Sequence, residues 1–146
     1  MKKFLFLVFF GLLLTPLTVV AEDTIQDYSI REALGEEKIK NVLGDDVKFY
    51  FGTQRHGKVL KKFGNFRTSK KANAFMKSKE SACQWAFASS LKAFKDRALR
   101  EGGNAVINIQ SNYNNVRTAS SETYKCGSGA AVAGVVLVGD VVRLAE

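Results

Sequence analysis

The stretch SKESACQWAFASSLKAFKDRALREGG, residues 78–103, carries the pattern on which the fold prediction depends. Apolar side chains recur there every three or four residues, a spacing that places them on one face of an α-helix. This apolar stripe comprises Cys83, Phe87, Leu91, Phe94 and Ala98. The opposite face carries Lys92, Lys95, Asp96 and Arg100. Ser78 with Ser81 offers a capping start, and Gly102 or Gly103 ends the pattern, so one long amphipathic helix is predicted.

Gly102, Gly103 and Asn104 raise the question of whether a glycine-rich loop binds phosphate here. Phosphate-binding loops precede a helix, where free backbone N–H groups converge, whereas these residues follow one at its carbonyl end. They therefore predict a corner rather than a ligand site. The next residues alternate as a strand, with one face predicted to hold Ala105, Ile107 and Ile109 and the other Val106, Asn108 and Gln110.

Shorter patterns on both sides of the helix complete the predicted architecture. Residues 22–29 predict an irregular start, and IREALGEEKIKNVLG (30–44) predicts one or two short helices, interrupted at Gly35 and ended at Gly44. Strands are predicted at VKFYF (47–51), more weakly at FGNFRTS (63–69), and at SETYKC (121–126), with the polar stretch 111–121 as a loop. The apolar run AAVAGVVLVGDVVRL (130–144) predicts a strand buried on both faces. The expected fold class is α+β, with one long helix packed on a sheet of three to five strands and short N-terminal helices.

The first 21 residues have the three parts of a secretory signal peptide. Lys2 and Lys3 give the positive start, residues 4–14 the apolar stretch and Val19-Val20-Ala21 a small-residue site, so cleavage is predicted after Ala21. The apolar stretch is shorter than the roughly 20 residues that span a bilayer, which makes a retained anchor the weaker alternative. Residues 22–146 are predicted to form a single domain, exported to the periplasm or secreted, with no transmembrane segment after signal removal.

The chain contains two cysteines, Cys83 and Cys126. In an exported protein an even number of cysteines favours a disulfide. The predicted helix stripe holds Cys83, and the inner face of strand 121–126 holds Cys126 beside Tyr124, so the pair can join helix to sheet. Free thiols or a two-ligand metal site are the alternatives. Because His56 is the only histidine and no C-x-x-C occurs, neither a metal nor a cofactor is expected.

Positive charge is concentrated in one segment of the chain. The whole chain has 22 Lys and Arg against 14 Asp and Glu, and between Asp46 and Glu80 ten basic residues occur with no acidic one. Such a segment attracts anions, and seven of its residues are predicted to bind them: Arg55, Lys58, Lys61, Lys62, Arg67, Lys70 and Lys71. The expected targets outside the cytoplasm are lipid headgroups, lipopolysaccharide or another acidic surface, that is, an anionic lipid or polysaccharide surface, and nucleic acid is not expected. The alternative is a solvated face that promotes solubility.

Few residues in the chain have the pattern of a catalytic site. His56 is predicted to be an exposed loop residue, and Ser120 and Ser121 have no evident base partner. The pairs Asp45-Asp46 and Glu36-Glu37 are adjacent in sequence, so their side chains do not converge as an acid and a base. We therefore expect a non-enzymatic binding protein. A structural or protein-partner module of the cell envelope, or a small secreted hydrolase, are the alternatives.

Four stretches of the chain resemble a known family. They are GDDVKFYFG (44–52), CQWAF (83–87), LKAFKDRALREGGNAVINIQSNY (91–113) and YKCGSGAAVAGVVLVGDVVRL (124–144). The chain resembles small bacterial exported proteins mislabelled "excinuclease ATPase subunit", a label that the absence of G-x-x-x-x-G-K-[ST] contradicts. It is more distantly similar to the YbjQ-like heavy-metal-binding domain family and to the outer-membrane sensor lipoprotein of the Rcs envelope-stress system. The latter resemblance implies a disulfide-stabilised envelope domain, although a lipid anchor, a proline-rich tether and a second cysteine pair are not found here.

Overall fold

The computed structural model describes residues 24–146, so the predicted signal peptide and its cleavage after Ala21 lie outside the described residues. This part of the chain contains three α-helices, at Ile30–Gly35 (α1), Glu37–Leu43 (α2) and Lys79–Glu101 (α3). In α3 the Ser78 hydroxyl accepts a hydrogen bond from the Ser81 backbone N–H, and Gly102 ends the helix in the left-handed conformation. The predicted long helix and the two short helices are therefore confirmed.

The structure contains six strands in one sheet: Thr24–Ser29 (β1), Lys48–Phe51 (β2), Val59–Asn73 (β3), Ala105–Ser111 (β4), Thr123–Ser128 (β5) and Val132–Leu144 (β6). β6 is central, because β3 pairs along the whole of one edge while β5 and β4 share the other. β1 lies antiparallel outside β5, and β2 lies parallel outside β4. The mixed architecture of one long helix on a sheet is confirmed, with one strand more than predicted.

Three features differ from the sequence prediction. Residues 24–29 were predicted as irregular but form β1. The strand forms because its backbone groups pair with β5, although its side chains show no clear alternation. The weak strand predicted at 63–69 is part of the 15-residue β3. In β4 the pairing with β6 shifts between Ile107 and Gln110, and Asn108 takes a left-handed φ of 52°. This bulge places Ile109 with Val106 on the helix side, so the predicted shared face of Ala105, Ile107 and Ile109 is wrong.

The main hydrophobic core lies between α3 and one face of the sheet, called the helix face below. All five residues of the apolar stripe are fully buried there. The Phe87 ring stacks on Tyr124 of β5 with centroids 4.0 Å apart, and burial raises the pKa of Tyr124 well above its ordinary value. A smaller cluster of Ala105, Ile107, Val142 and Leu144 lies on the opposite, helix-free face.

Cys83 of α3 and Cys126 of β5 form a disulfide, with Cα atoms 5.9 Å apart. The bond joins the apolar stripe of the helix to the helix face of the sheet, as the sequence predicted. Such disulfides are typical of proteins from oxidising compartments. Within residues 24–146 no helix has the length and apolar character needed to cross a bilayer.

Replacing both cysteines, Cys83→Ala with Cys126→Ala, is expected to lower the free energy of unfolding by roughly 4 kcal/mol, since the disulfide closes a long loop in the unfolded chain. Urea denaturation followed by circular dichroism measures the change. Gln84→Ala, on the half-exposed side of the same helix turn, serves as a control that should alter stability by no more than about 0.5 kcal/mol. A cysteine-free variant as stable as the unmodified protein would contradict this role.

Candidate anion-binding site

β3 carries most of the predicted anion-binding residues and is an edge strand. Among the described residues it pairs with β6 alone, so its other edge has no neighbouring strand. Lysines along such an edge discourage pairing with another chain. The register also shifts near Gly64, whose φ of 140° is in the left-handed half of backbone space. β3 is therefore built to present side chains to solvent or to a ligand.

Strand alternation divides the β3 cations between the two faces of the sheet. Lys62, Arg67 and Lys71 lie opposite Val142, Val138 and Gly134 of β6 and share the helix-free face with them. Lys61 lies opposite Arg143, which donates a hydrogen bond to the Gly102 carbonyl at the end of α3, so both are on the helix face. Lys70 is also on the helix side, where it lines a shallow recess with Ser89, Ala93 and Asp96.

Arg55 and Lys58 are separate from this group. Both are exposed in the loop that joins β2 to β3, and the Lys58 carbonyl accepts a hydrogen bond from the Ala145 N–H at 2.8 Å. Gly57, between them, lines a cleft of about 430 Å³ together with Asp45, Asp46 and Glu146. The structure therefore places the loop pair beside an acidic cleft, and the seven predicted residues do not form a single cluster.

A second cleft, on the helix-free face of β3, brings cations and neutral donors together. It has a volume of about 290 Å³, and its floor is the β6 segment 134–136. Arg67, Ser69, Lys70 and Lys71 of β3 form one wall. The other wall is the 3₁₀ turn Tyr113–Asn115 in the loop between β4 and β5. We call this the basic cleft.

Tyr113 is held against the sheet by close backbone approach. Its ring and hydroxyl lie directly over Gly127 of β5, where a Cβ atom would overlap them. The preceding residue is also tied to the sheet, because the Asn112 N–H donates to the Val136 carbonyl at 2.9 Å. Asn114 and Asn115 then take left-handed φ values of 53° and 61°, a conformation that asparagine tolerates better than most residues. This path directs the turn over the helix-free face.

The residues that line the basic cleft carry positive charge and no carboxylate. The four ion pairs found within residues 24–146 use Lys92, Lys95, Arg97 and Lys125 as their cations. Arg67 and Lys71 thus keep their positive charge available for an anion. Arg67 can offer a planar fork of N–H donors, which suits the oxygens of a phosphate. The Asn114 and Asn115 amides and the Tyr113 hydroxyl add neutral donors.

The sequence-based prediction included the basic segment but missed Tyr113, Asn114 and Asn115. The signal was present in the adjacent asparagines of SNYNNVRTASS, because such pairs favour left-handed turns. What the sequence did not show is the side of the sheet that the turn covers. That depends on Gly127, which leaves space for the Tyr113 ring.

His56 and Ser120, which were considered as possible catalytic residues, make only local contacts with neighbouring residues. The exposed His56 ring lies 2.8 Å from the Gly57 carbonyl through Nδ1 and packs edge-on against Tyr50. The Ser120 hydroxyl accepts hydrogen bonds from the Glu122 and Thr123 backbone N–H groups, as a turn serine does. Across residues 24–146, no group of three or more His, Cys, Asp and Glu side chains is placed to hold a metal ion.

Comparisons of this chain with models of known protein families, with curated proteins and with solved structures found no match.

The position of Tyr113 predicts that alanine will affect stability differently at two glycines, Gly127 and Gly134, which pair with each other across β5 and β6. Gly127→Ala is expected to lower the free energy of unfolding by about 1–3 kcal/mol, because the new methyl group overlaps the Tyr113 ring. Gly134→Ala should change it by no more than about 0.5 kcal/mol, since its Cβ would meet nothing closer than Lys71 Cγ at 3.8 Å. Urea denaturation compares the two variants, and equal effects would show that Tyr113 does not occupy this position.

Proposed function

We propose that the protein is an exported, non-enzymatic binding protein that engages anionic surfaces through β3, with the basic cleft as its principal contact. The chemistry that the cleft would recognise is the phosphate of a lipid headgroup or of lipopolysaccharide. The observation that carries this proposal is the presence of Arg67 and Lys71 in one cleft with hydroxyl and amide donors and no carboxylate.

The dimensions of the basic cleft favour a headgroup over a single small ion. Arg67 and Lys71 are four residues apart on one strand, which separates their Cα atoms by about 13 Å. Ser69 lies between them on the same face. A volume of about 290 Å³ accommodates a polar headgroup but not the acyl chains attached to it. The cleft would therefore contact a lipid from outside the bilayer.

Lys61 and Lys62 can contribute although they do not line the basic cleft, and Lys70 lines both the basic cleft and the recess on the helix face. β3 is an edge strand, so Lys61 and Lys70 on one face and Lys62 on the other all project beside the same exposed edge. A charged surface that approaches edge-on can attract both sets. Each Lys or Arg near an anionic membrane contributes about 1 kcal/mol to binding, and the attraction weakens as salt is added.

The compartment and the resemblance to envelope proteins support the same proposal. A disulfide is expected in the periplasm or outside the cell, where lipopolysaccharide and anionic phospholipids are available as targets. The resemblance to the Rcs sensor lipoprotein remains a prediction and adds only that such a domain would act at the envelope. The signal peptide likewise remains a sequence-based prediction.

The proposal is tested by co-sedimentation of the purified protein with neutral and anionic phospholipid vesicles at low and high salt. Arg67→Glu with Lys71→Glu is expected to weaken binding to anionic vesicles about 30-fold or more, since two favourable contributions of about 1 kcal/mol each become repulsive. The matched control is Arg31→Glu with Lys40→Glu, which changes the net charge equally on α1 and α2, two helices that pack against α3.

The control variant is expected to bind within about threefold of the unmodified protein, because distant exposed charges are largely screened at physiological salt. Equal losses in both variants would show that net charge, rather than the basic cleft, drives binding. No binding of the unmodified protein to anionic vesicles at either salt concentration would contradict the proposed function. A protein partner whose binding does not weaken with salt would favour a structural module of the envelope instead.

A further inference from the structure

An exposed apolar turn follows β3. The Lys77 N–H donates to the Ala74 carbonyl at 3.2 Å, which closes the turn between a buried alanine and an exposed lysine. The two residues between them are Phe75, 66% exposed, and Met76, 90% exposed. The turn therefore presents two large apolar side chains to solvent at the end of the basic strand.

A second turn lies directly beside the first. The Ala74 N–H donates to the Ala131 carbonyl at 2.9 Å, which ties the end of β3 to the connection between β5 and β6. In that connection Ala130 and Ala131 are exposed, and Val132, the first residue of β6, is 45% exposed. We call the exposed apolar residues of these two adjacent turns the apolar tip: Phe75, Met76, Ala130, Ala131 and Val132.

The sequence of the tip is unfavourable for a turn that serves only to connect two elements. Met76 takes a φ of 58°, a left-handed conformation in which glycine or asparagine is less strained. The Asn73 side chain accepts a hydrogen bond from the Phe75 N–H at 2.8 Å, which holds the backbone in this shape. The turn thus keeps a methionine in a strained position and leaves both side chains in water.

Lysines flank Phe75 and Met76 of the apolar tip in the sequence. Lys70 and Lys71 precede them, and Lys77 and Lys79 follow them. Residues 70–79 and 127–139 contain no acidic residue, and Glu80 is the first one that follows in α3. Exposed apolar side chains flanked by lysines are complementary to a bilayer with anionic headgroups, where insertion and charge attraction act together.

We propose that the apolar tip inserts into the interface of an anionic lipid bilayer, with Phe75 and Met76 at the boundary between headgroups and acyl chains. This inference rests on the proposed function and gives it an orientation. Lys71 lies two residues before Asn73, which places it about 6–7 Å along the strand from the turn, at the level of the lipid phosphates. Arg67 then faces groups that project further from the bilayer.

Binding to vesicles tests whether the apolar side chains of the tip add to the affinity that the positive charge provides. Phe75→Ser with Met76→Ser is expected to weaken binding to vesicles of neutral and anionic phospholipid by at least about tenfold, because the inserted apolar area is lost. The matched control is Leu60→Ser with Leu99→Ser, two residues 59% and 47% exposed at the start of β3 and the end of α3, away from the tip. The control should bind within about twofold of the unmodified protein.

The outcomes separate this inference from the proposed function. If the unmodified protein binds anionic vesicles in a salt-dependent manner and the tip variant binds equally well, the inference that the tip inserts is wrong, while the proposed function stands. If the unmodified protein does not bind anionic vesicles, both are overturned.

A probe at the tip reports insertion directly. In Phe75→Trp, the added fluorescence is expected to shift to shorter wavelength on anionic vesicles and to be quenched by lipids brominated in their acyl chains. Leu60→Trp provides the matched probe at the other end of β3, and the signal of Trp85, the only native tryptophan, is common to both variants. Vesicle-bound Phe75→Trp that shows neither a shift nor quenching would overturn the inference.

Discussion

The packing of the α3 apolar stripe against β6 is the interaction on which the rest of the structure depends. β6 is buried on both faces over most of its length, so its backbone groups need partners along both edges. β4 and β5 share one edge, and β3 occupies the other. The disulfide then fixes the helix to β5. As the partner of the longest buried strand, β3 is long and lies at the edge of the sheet, where its cations are exposed.

The helices and strands that were predicted correctly are those whose own sequence has a clear periodic or continuously apolar pattern. The stripe from Cys83 to Ala98 repeats at helical spacing, and the β6 run is continuously apolar. β1 was missed because TIQDYS has no clear alternation and becomes a strand only through pairing with β5. The Asn108 bulge was missed for a related reason. The register of β4 is set by pairing with β6, about 30 residues away in sequence, and a shift of one residue reverses which side chains face the core.

For the candidate site as well, the sequence shows which charged residues are present, whereas the fold determines which of them lie together. Sequence alone shows a run of cations without acids, but it treats that run as one surface. The β3 backbone separates Lys62, Arg67 and Lys71 from Lys61 and Lys70, and the loop carries Arg55 and Lys58 away. The neutral donors come from a different loop, brought over the strand because Gly127 leaves room for Tyr113. The proposed anion-binding site thus depends on composition, strand alternation and one close backbone approach together.

Hydrogen–deuterium exchange of the purified protein, with and without anionic vesicles, tests the central claim most directly. A surface that uses the basic cleft and the apolar tip predicts slower exchange in three segments that are distant in sequence, residues 67–77, 113–116 and 129–132. Exchange in α1, α2 and the β2–β3 loop should be unchanged. Slower exchange confined to the β2–β3 loop beside the acidic cleft, or protection spread evenly over the molecule, would contradict the account.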